Sequence, residues 1–295
     1  RKGDSGMKGG AVLSADVMSA VEDALRVHVR REESAAGQED GVTDSLWDHL
    51  SRTAVIAEQL GRAEGLDPAA CRLAALFHDA GKFRRGERHG DSRPEEEHSA
   101  EVLRRLAASH GIPESLIEEI GEAILQLYRC DPEPTPLAKV LFDADNLEKL
   151  GFLGVANFFV KRGLRGGGIS PEFMAQFTVE LTYARHAVGC MQTESGRAWA
   201  RRRAPQTQSF FTSLLDQLRE DGLADLVIKE LDLDGFPIDA VIPRACSCSK
   251  PLIPEMWQDE GIKCQKIHLV HACRDCGERY EVRFCRPRLA DPEED

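Results

Sequence analysis

Side chains that could bind a metal ion occur at three places in the first half of the chain. His78 and Asp79 are adjacent and follow an apolar run, His49 lies upstream of them, and Asp145 lies downstream. A charged carboxylate beside an imidazole at the end of a buried helix is unfavourable unless it has a partner. A divalent cation is a partner for both groups at once, so these residue types predict a metal site.

Two predicted helices would position the histidines. The helix before His78 begins at Asp67, an N-cap residue, and Pro68 suits its first position, while Gly81 is predicted to stop it. Its apolar face consists of Leu73, Leu76 and Phe77. An earlier helix begins at residues 43–45 and places His49 near its buried stripe. That stripe consists of Leu46, Leu50, Ala54, Ala57 and Leu60.

The order of His49, the pair His78-Asp79 and Asp145 resembles the HD-domain superfamily of metal-dependent phosphohydrolases. Residues 143–159, DADNLEKLG followed by GVANFF, and residues 191–197, MQTESGR, resemble one bacterial and archaeal subgroup of small HD hydrolases. The resemblance spans roughly residues 45–222. It implies a helical bundle around a metal and the hydrolysis of a phosphate ester, with nucleotides as the expected substrates.

The resemblance implies that His49, His78, Asp79 and Asp145 hold one divalent ion. Two imidazoles and two carboxylates suit Mn, Fe, Co, Ni or Zn better than Mg. Such an ion lowers the pKa of a bound water, and Asp79 or a nearby acid could take the proton. Asp143 lies on a different helix face from Asp145 and is a candidate for orienting a ligand.

Basic side chains near the predicted metal site could contact a phosphate. Lys82 follows the pair in the pattern His-Asp-x-Gly-Lys, and Arg52 lies about one turn after His49, although a surface position for Arg52 is an equal alternative. Several HD subfamilies have a histidine at the place of His98. The helix from Pro113 toward Tyr128 lacks the further histidine of binuclear members. This favours a mononuclear site over a di-iron oxygenase, with His98 as an acid, base or phosphate contact.

The C-terminal part of the chain contains a second group of candidate metal ligands. Six of the nine cysteines lie between positions 246 and 285, with short β-prone runs between them. In a reducing compartment such a cluster is more often a metal site than a set of disulfides. The pattern predicts a zinc-ribbon-like tetrathiolate site with structural zinc, formed by Cys246, Cys248, Cys273 and Cys276. Reserve ligands are Cys264, Cys285, His268 and His271, and a reactive-thiol or disulfide role is the alternative.

Composition limits the classes of partner. The net charge of −12 argues against a general nucleic-acid coat protein, and 6% aromatic residues argue against a base-stacking platform. No apolar run reaches the length of a membrane span, and the first residues lack the pattern of a signal peptide. The sequence therefore predicts a cytoplasmic protein with a small phosphorylated substrate, a nucleotide by resemblance, and no membrane partner.

The predicted fold is mainly α, an HD-domain helical bundle with a small C-terminal β-rich module. Residues 1–42 are predicted as a tail and a helix ending near Val29, residues 43–222 as the HD domain, and residues 223–295 as a linker helix and the cysteine-rich module. Residues 152–160 are predicted as a core helix and residues 171–191 as another helix. The loop after Lys82 is a candidate lid. The alternative function is a nucleotide sensor whose ribbon contacts nucleic acid or a protein.

Overall fold

The structure is a computed structural model that describes residues 13–36, 45–84, 87–88, 93–127, 133–164, 168–260 and 265–287. Its helices are α1 (Ala15–Ala35), α2 (Ser45–Ala63), α3 (Pro68–Phe77), α4 (Glu95–Ser109), α5 (Glu114–Gln126), α6 (Pro136–Glu148), α7 (Gly151–Leu164), α8 (Pro171–Ala175), α9 (Phe177–Cys190) and α10 (Glu194–Glu220). Its strands are β1 (Phe83–Arg84), β2 (Glu87–Arg88), β3 (Leu226–Leu233), β4 (Phe236–Pro243), β5 (Ile253–Glu260), β6 (Gln265–Ala272) and β7 (Arg279–Cys285). The predicted fold class, mainly α with a small C-terminal β-rich module, is confirmed.

The chain divides into two compact units, Arg1–Leu141 and Phe142–Asp295, and the division falls within α6. In the first unit α3 packs against α2, α4 and α5. The predicted start of α3 is confirmed, because the Asp67 side chain accepts a hydrogen bond of 2.9 Å from the Ala69 amide. The predicted stripe of α2 is buried from Leu46 to Leu60. Among the described residues, no helix is long and apolar enough to cross a membrane.

Gly81 does not stop α3 in the predicted way. The helix ends at Phe77, and Gly81 lacks the positive φ of a C-terminal glycine. Instead, a Cβ atom at Gly81 would lie 2.4 Å from the Cβ of His98 and 2.5 Å from the amide nitrogen of Ser99. The Gly81 amide donates a hydrogen bond of 3.0 Å to Ser99 Oγ. The glycine is therefore required because α4 approaches the turn after Asp79 closely.

The second unit joins helices to strands. A cluster of phenylalanines from α7 to α10 fills its helical core: Phe158, Phe159, Phe173, Phe177, Phe210 and Phe211. Helix α9 holds β4 through hydroxyl groups, because Thr178 Oγ1 accepts from the Val241 amide at 2.8 Å and Thr182 Oγ1 accepts from the Asp239 amide at 3.1 Å. The strands form an antiparallel pair, β3–β4, and an antiparallel sheet in the order β5–β6–β7.

The predicted linker helix after residue 223 is wrong, because this segment is strand β3 paired with β4. Asp234 and Gly235 form the turn, with φ values of 52° and 77°, and Leu233 pairs with Phe236. An Asp-Gly pair with positive φ at both positions is typical of a two-residue hairpin turn. This local pattern explains why the segment is a hairpin rather than a helix.

Three other expectations differ from the structure. Helix α1 continues to Ala35, beyond the predicted end near Val29. Residues 152–160 lie in helix α7 as predicted, but Phe152 is 63% exposed and Val160 is 58% exposed, so the helix is not core on all sides. The predicted helix over residues 171–191 is divided into α8 and α9. Of the predicted lid, β1 and β2 form a short hairpin, and the rest lies largely outside the described residues.

Candidate metal centres

Three of the predicted ligands in the HD pattern lie together in the first unit. His49 Nε2 is 3.3 Å from His78 Nε2 and 3.9 Å from Asp79 Oδ2, and His78 Nε2 is 3.8 Å from Asp79 Oδ1. Atoms that bind one ion at about 2.1 Å lie roughly 3.0–3.5 Å apart. The three side chains therefore fit one divalent ion with a small inward movement of the carboxylate.

The backbone of α3 sets which nitrogen of His78 can bind a metal. His78 Nδ1 lies 2.7 Å from the carbonyl oxygen of Ala75. A carbonyl can only accept, so Nδ1 carries the proton, and Nε2 is the nitrogen that could bind a metal. His78 is 1% exposed, and its Nε2 lies within hydrogen-bond distance of His49 Nε2, at 3.3 Å. A histidine ligand whose other nitrogen donates to a carbonyl is the usual arrangement in metal sites.

Helix α2 supplies His49 and Arg52. His49 is 7% exposed, and its carbonyl accepts a hydrogen bond of 2.9 Å from Thr53 Oγ1. Arg52 is half-buried on the same helix, three residues further along. Its predicted role in phosphate binding stays a prediction.

Lys82 lies next to the carboxylate of Asp79. Its ammonium group forms an ion pair with Asp79 Oδ2 and lies 3.8 Å from Glu95 Oε1 on α4. The side chains are partly shielded, with 23% exposure for Lys82 and 10% for Glu95. A positive charge is therefore held beside the predicted metal ligand, where it can stabilise negative charge.

His98 lies on the first turns of α4, and the same helix lies against Gly81. It is 5% exposed, and its Nδ1 accepts a hydrogen bond of 3.2 Å from Arg93 Nη2. Because arginine can only donate, Nδ1 accepts this bond and the ring proton lies on Nε2. Arg93 also donates to Glu101 at 2.7 Å. An N–H at Nε2 is compatible with a phosphate contact, and the predicted role of His98 as an acid, base or phosphate contact stays a prediction.

The remaining predicted ligand, Asp145, lies in the second unit on α6. It is 3% exposed, and its Oδ2 accepts a hydrogen bond of 2.8 Å from Lys149 Nζ. Its role as the fourth ligand stays a prediction.

Asp143, two residues earlier, is fully buried and accepts hydrogen bonds from the Gln192 amide at 2.8 Å and from both the amide and the hydroxyl of Thr193. Burial raises the pKa of Asp143 to about 6, although these donors oppose the shift. Thr193 is the N-cap of α10, so Asp143 attaches α6 to the start of that helix.

The four predicted zinc ligands of the second unit also lie together. Cys246 Sγ is 2.9 Å from Cys248 Sγ and 3.3 Å from Cys273 Sγ, and Cys248 Sγ is 3.6 Å from Cys273 Sγ. Cys276 completes the group, and all four are free thiols. Sulfur atoms around a tetrahedral zinc lie about 3.8 Å apart, and disulfide sulfurs about 2.05 Å apart. The distances are longer than a disulfide bond, which agrees with four free thiols, and the four sulfurs lie close enough together to hold one metal ion.

The predicted reserve ligands fall into three classes. His268 and His271 do not belong to the cysteine group among the described residues. Cys285 is disulfide-bonded, and Cys264 lies outside the described residues. His271 is 1% exposed, and burial followed by repulsion from Lys229 lowers its pKa to about 4.

Backbone amides favour a thiolate in the cysteine group. The pKa of Cys273 is lowered to about 7, and the hydrogen bond from the Cys276 amide is the largest cause of the shift. The hydrogen bond to Cys246 raises the pKa of Cys248 to about 12. The backbone therefore favours negative charge on Cys273, and negative charge on a cysteine sulfur favours the binding of a cation.

Sequence reasoning missed several residues around both centres. Near the first centre these are Glu95, which lies beside Lys82, and Ser99, which accepts a hydrogen bond from the Gly81 amide. Glu278, which directly follows the Cys-x-x-Cys-Gly pattern, was also missed. The carbonyl of Ala75 could have been found, because residues three apart on a helix are neighbours. Nothing in the sequence alone indicates the contacts of Glu95 and Glu278, because both depend on tertiary packing.

Comparisons with known proteins agree with this architecture. Residues 46–150 match the family model described as HD domain. The structure of YpgQ from Bacillus subtilis is similar, with 23% identity and a TM-score of 0.51 over 68% of this chain and 97% of that chain. The Lin1889 protein from Listeria innocua is similar with 21% identity and a TM-score of 0.50 over 70% of this chain and 98% of that chain. These two likenesses concern the fold. No curated protein matches the sequence.

Proposed function

We propose that the protein is a metal-dependent phosphohydrolase that acts on a phosphate ester, with a nucleotide as the substrate. The observation that carries the proposal is the convergence of His49, His78 and Asp79, with their ligand atoms within 4.8 Å of one another, inside a segment that matches the HD domain. The tautomer of His78, fixed by the Ala75 carbonyl, supports a ligand role. The nucleotide rests on the resemblance of the motifs to those of the HD hydrolases.

The side chains around the metal-binding group have the charges that phosphate hydrolysis requires. A bound divalent ion would lower the pKa of water and polarise a phosphoryl oxygen. Asp79 would accept the proton of the attacking water. Lys82, with Arg52 and the Nε2–H of His98, would bind the phosphate oxygens and offset the negative charge that develops on them. Asp145 is proposed as the fourth ligand, and Mn, Fe, Co, Ni or Zn as the ion.

The test is a hydrolysis assay on metal-free protein reloaded separately with each of these ions. Nucleoside mono-, di- and triphosphates and a generic phosphodiester are the substrates, and released phosphate or pyrophosphate is measured. We expect turnover that falls at least 100-fold in His78→Asn. The matched control is His110→Asn, because His110 Nδ1 also lies near a helix carbonyl, that of Leu106, outside the metal-binding group.

Other outcomes would favour the other functions. Tight nucleotide binding without turnover under any ion would replace the enzyme with a nucleotide sensor. Two irons per chain and a visible absorption band would point to an oxygenase. Failure of His78→Asn to change either metal content or turnover would contradict the proposed site itself.

We also propose that the ion of the cysteine group is a structural zinc, because four thiolates in a tetrahedral arrangement prefer it. Elemental analysis of wild type and Cys273→Ser/Cys276→Ser protein tests this. We expect about one zinc per chain that only the cysteine change removes. The proposed partner of this module is a nucleic acid or a protein, and we propose a cytoplasmic location for the whole chain.

A further inference from the structure

The two cysteine pairs have related backbone paths despite their different spacing. In the second pair, Cys273 N donates to the Glu278 carbonyl at 2.9 Å, and Gly277, directly after Cys276, has a φ of 77°. In the first pair, Cys246 N donates to the Lys250 carbonyl at 2.9 Å, and Ser249, directly after Cys248, has a φ of 63°. Each loop therefore closes on itself with a left-handed residue after its second cysteine.

The first loop is the second loop with one residue removed. Its closing hydrogen bond spans from residue 246 to residue 250, whereas the other spans from residue 273 to residue 278. This difference matches the missing residue in Cys-x-Cys relative to Cys-x-x-Cys. The Lys250 amide also approaches Cys246 Sγ at 3.4 Å. A backbone N–H directed at a cysteine sulfur stabilises thiolate charge, so the shortened loop retains the features of a metal-binding turn.

Glu278 connects the two loops. Its carbonyl closes the second loop. Its Oε2 accepts a hydrogen bond of 2.7 Å from the amide of Ser247, the residue between the two cysteines of the first loop. Its Oε1 accepts a hydrogen bond of 2.6 Å from the Tyr280 hydroxyl. Tyr280 is 8% exposed and packs in a cluster with Cys246, Leu252 and Cys273. Both carboxylate oxygens are therefore engaged, and the side chain is oriented from both sides.

We infer that Cys246-Ser247-Cys248 is a shortened zinc-binding turn and that Glu278 is the positioning residue that holds it against the Cys273–Cys276 turn. The inference rests on the proposed zinc in this group. The Ser247–Glu278 bond joins the middle residue of the first turn to the residue whose carbonyl closes the second turn. Because it restrains one pair of sulfur atoms relative to the other, Glu278 should control how long the ion is retained.

The test measures zinc release from the full-length protein to a chromophoric chelator at neutral pH. We expect Glu278→Ala to release zinc roughly 10–100 times faster than wild type, and Glu278→Gln, which keeps an acceptor for the Ser247 amide, to recover most of the loss. The matched control is Glu281→Ala, three residues later on β7, whose side chain pairs with Arg283 instead. Tyr280→Phe, which removes only the hydroxyl bond, should have an intermediate effect.

A second measurement separates positioning from general destabilisation. With Co²⁺ in place of zinc, the thiolate-to-metal absorption of Glu278→Ala should shift, because the sulfur directions change. Leu252→Ala, which destabilises the same cluster without touching Glu278, should leave the spectrum of the bound ion unchanged. Equal release rates and spectra for Glu278→Ala and Glu281→Ala would overturn the role of Glu278 while leaving zinc in place. A wild-type chain without cysteine-dependent zinc would overturn the proposed ion, and this inference with it.

Discussion

At the scale of single residues, His78 shows how backbone structure selects a ligand atom. Its Nδ1 donates to the Ala75 carbonyl at 2.7 Å, and its Nε2 lies 3.3 Å from His49 Nε2. One nitrogen of the ring is therefore bonded to the backbone, and the other is the nitrogen proposed to bind the metal. Substitutions can separate the two roles, because the side-chain amide of asparagine can take the place of Nδ1 without offering a ligand at the place of Nε2.

We predict that His78→Asn loses metal binding in the first unit but remains about 1 kcal/mol more stable than His78→Ala in the metal-free state. The alanine variant leaves the Ala75 carbonyl without its side-chain donor in a buried place, and such a loss costs about 1–3 kcal/mol. Urea unfolding with chelator present measures the difference. Equal stability of the two variants would mean that the bond to Ala75 contributes nothing.

His28 is the residue from which we expect a pH effect on stability. It is 8% exposed, and burial, followed by repulsion from Arg105, lowers its pKa from 6.5 to about 4. Its Nδ1 lies 3.3 Å from Arg105 Nη2 and 3.4 Å from Arg31 Nη2, while Glu32 lies 4.0 Å away and opposes the shift. The folded protein therefore keeps this imidazole neutral at pH values where the unfolded chain protonates it.

The predicted consequence is a loss of stability as the pH falls. The contribution of His28 is complete above the unfolded pKa of 6.5 and decreases toward the folded pKa of about 4, by roughly 2 kcal/mol between pH 7 and pH 5. His28→Asn keeps an acceptor for the arginines but does not titrate. The difference in unfolding free energy between variant and wild type should therefore change with pH. A constant difference from pH 7 to pH 5 would contradict the low pKa.

At the scale of elements, the turn that contains Asp79, a proposed metal ligand, depends on the approach of α4 to the residues after α3. The Gly81 amide donates to Ser99 Oγ at 3.0 Å, and His98 lies next to Ser99 on α4. Lys82, one residue after Gly81, reaches toward Glu95 on the first turn of α4. Helix α4 therefore holds the turn that contains Asp79, and small changes at this junction affect the site without touching a ligand.

We predict that Gly81→Ala destabilises the protein by about 2–4 kcal/mol and weakens metal binding in the first unit. The new Cβ would lie 2.5 Å from the Ser99 amide nitrogen, and a backbone atom cannot move aside as a flexible side chain can. The control is Gly121→Ala in α5, where the nearest atom is 3.8 Å away. That variant should be neutral or slightly more stable, since alanine favours a helix. Thermal unfolding and metal titration compare the two, and equal effects would contradict the packing argument.

Prediction of elements from the sequence succeeded where the information is local. Asp67 and Pro68 mark the start of α3 because capping involves only neighbouring residues. The hairpin after residue 223 was missed although Asp234-Gly235 is a local pattern, because the apolar spacing nearby also fits a helix. The role of Gly81 was misread because the reason for the glycine lies on α4, which no local pattern reveals.

The same division applies to the sites. The approach of His49 to His78 and the grouping of the four cysteines were predicted from residue types and spacing. Glu95, Ser99 and Glu278 were missed because their contacts arise from packing between segments. The sequence predicts α7 as a core helix because residues 152–160 are apolar almost throughout. In the structure, neighbouring elements cover only part of this helix, and Phe152 is 63% exposed.

At the scale of the whole molecule, the two groups of candidate ligands belong to different units. His49, His78 and Asp79 lie in Arg1–Leu141, and the four cysteines lie in Phe142–Asp295. Each group is surrounded by its own elements, namely α2 and α3 for the histidines and the loops beside β5–β7 for the cysteines. A bound ion stabilises the folded form of the elements that supply its ligands through mass action. The loss of either ion should therefore accelerate hydrogen exchange mainly in those elements.

We therefore predict opposite patterns of amide hydrogen exchange in two variants. Cys276→Ser, which breaks the cysteine group, should accelerate exchange in β5–β7 by at least about 10-fold and leave α2 and α3 near the wild-type rate, because a small β module depends on its metal for stability. His78→Asn with added Mn²⁺ serves as the reciprocal control and should accelerate exchange around α3 relative to metal-loaded wild type, with β5–β7 unchanged. Exchange that rises equally in both regions in either variant would show that the two ions stabilise one cooperative structure instead.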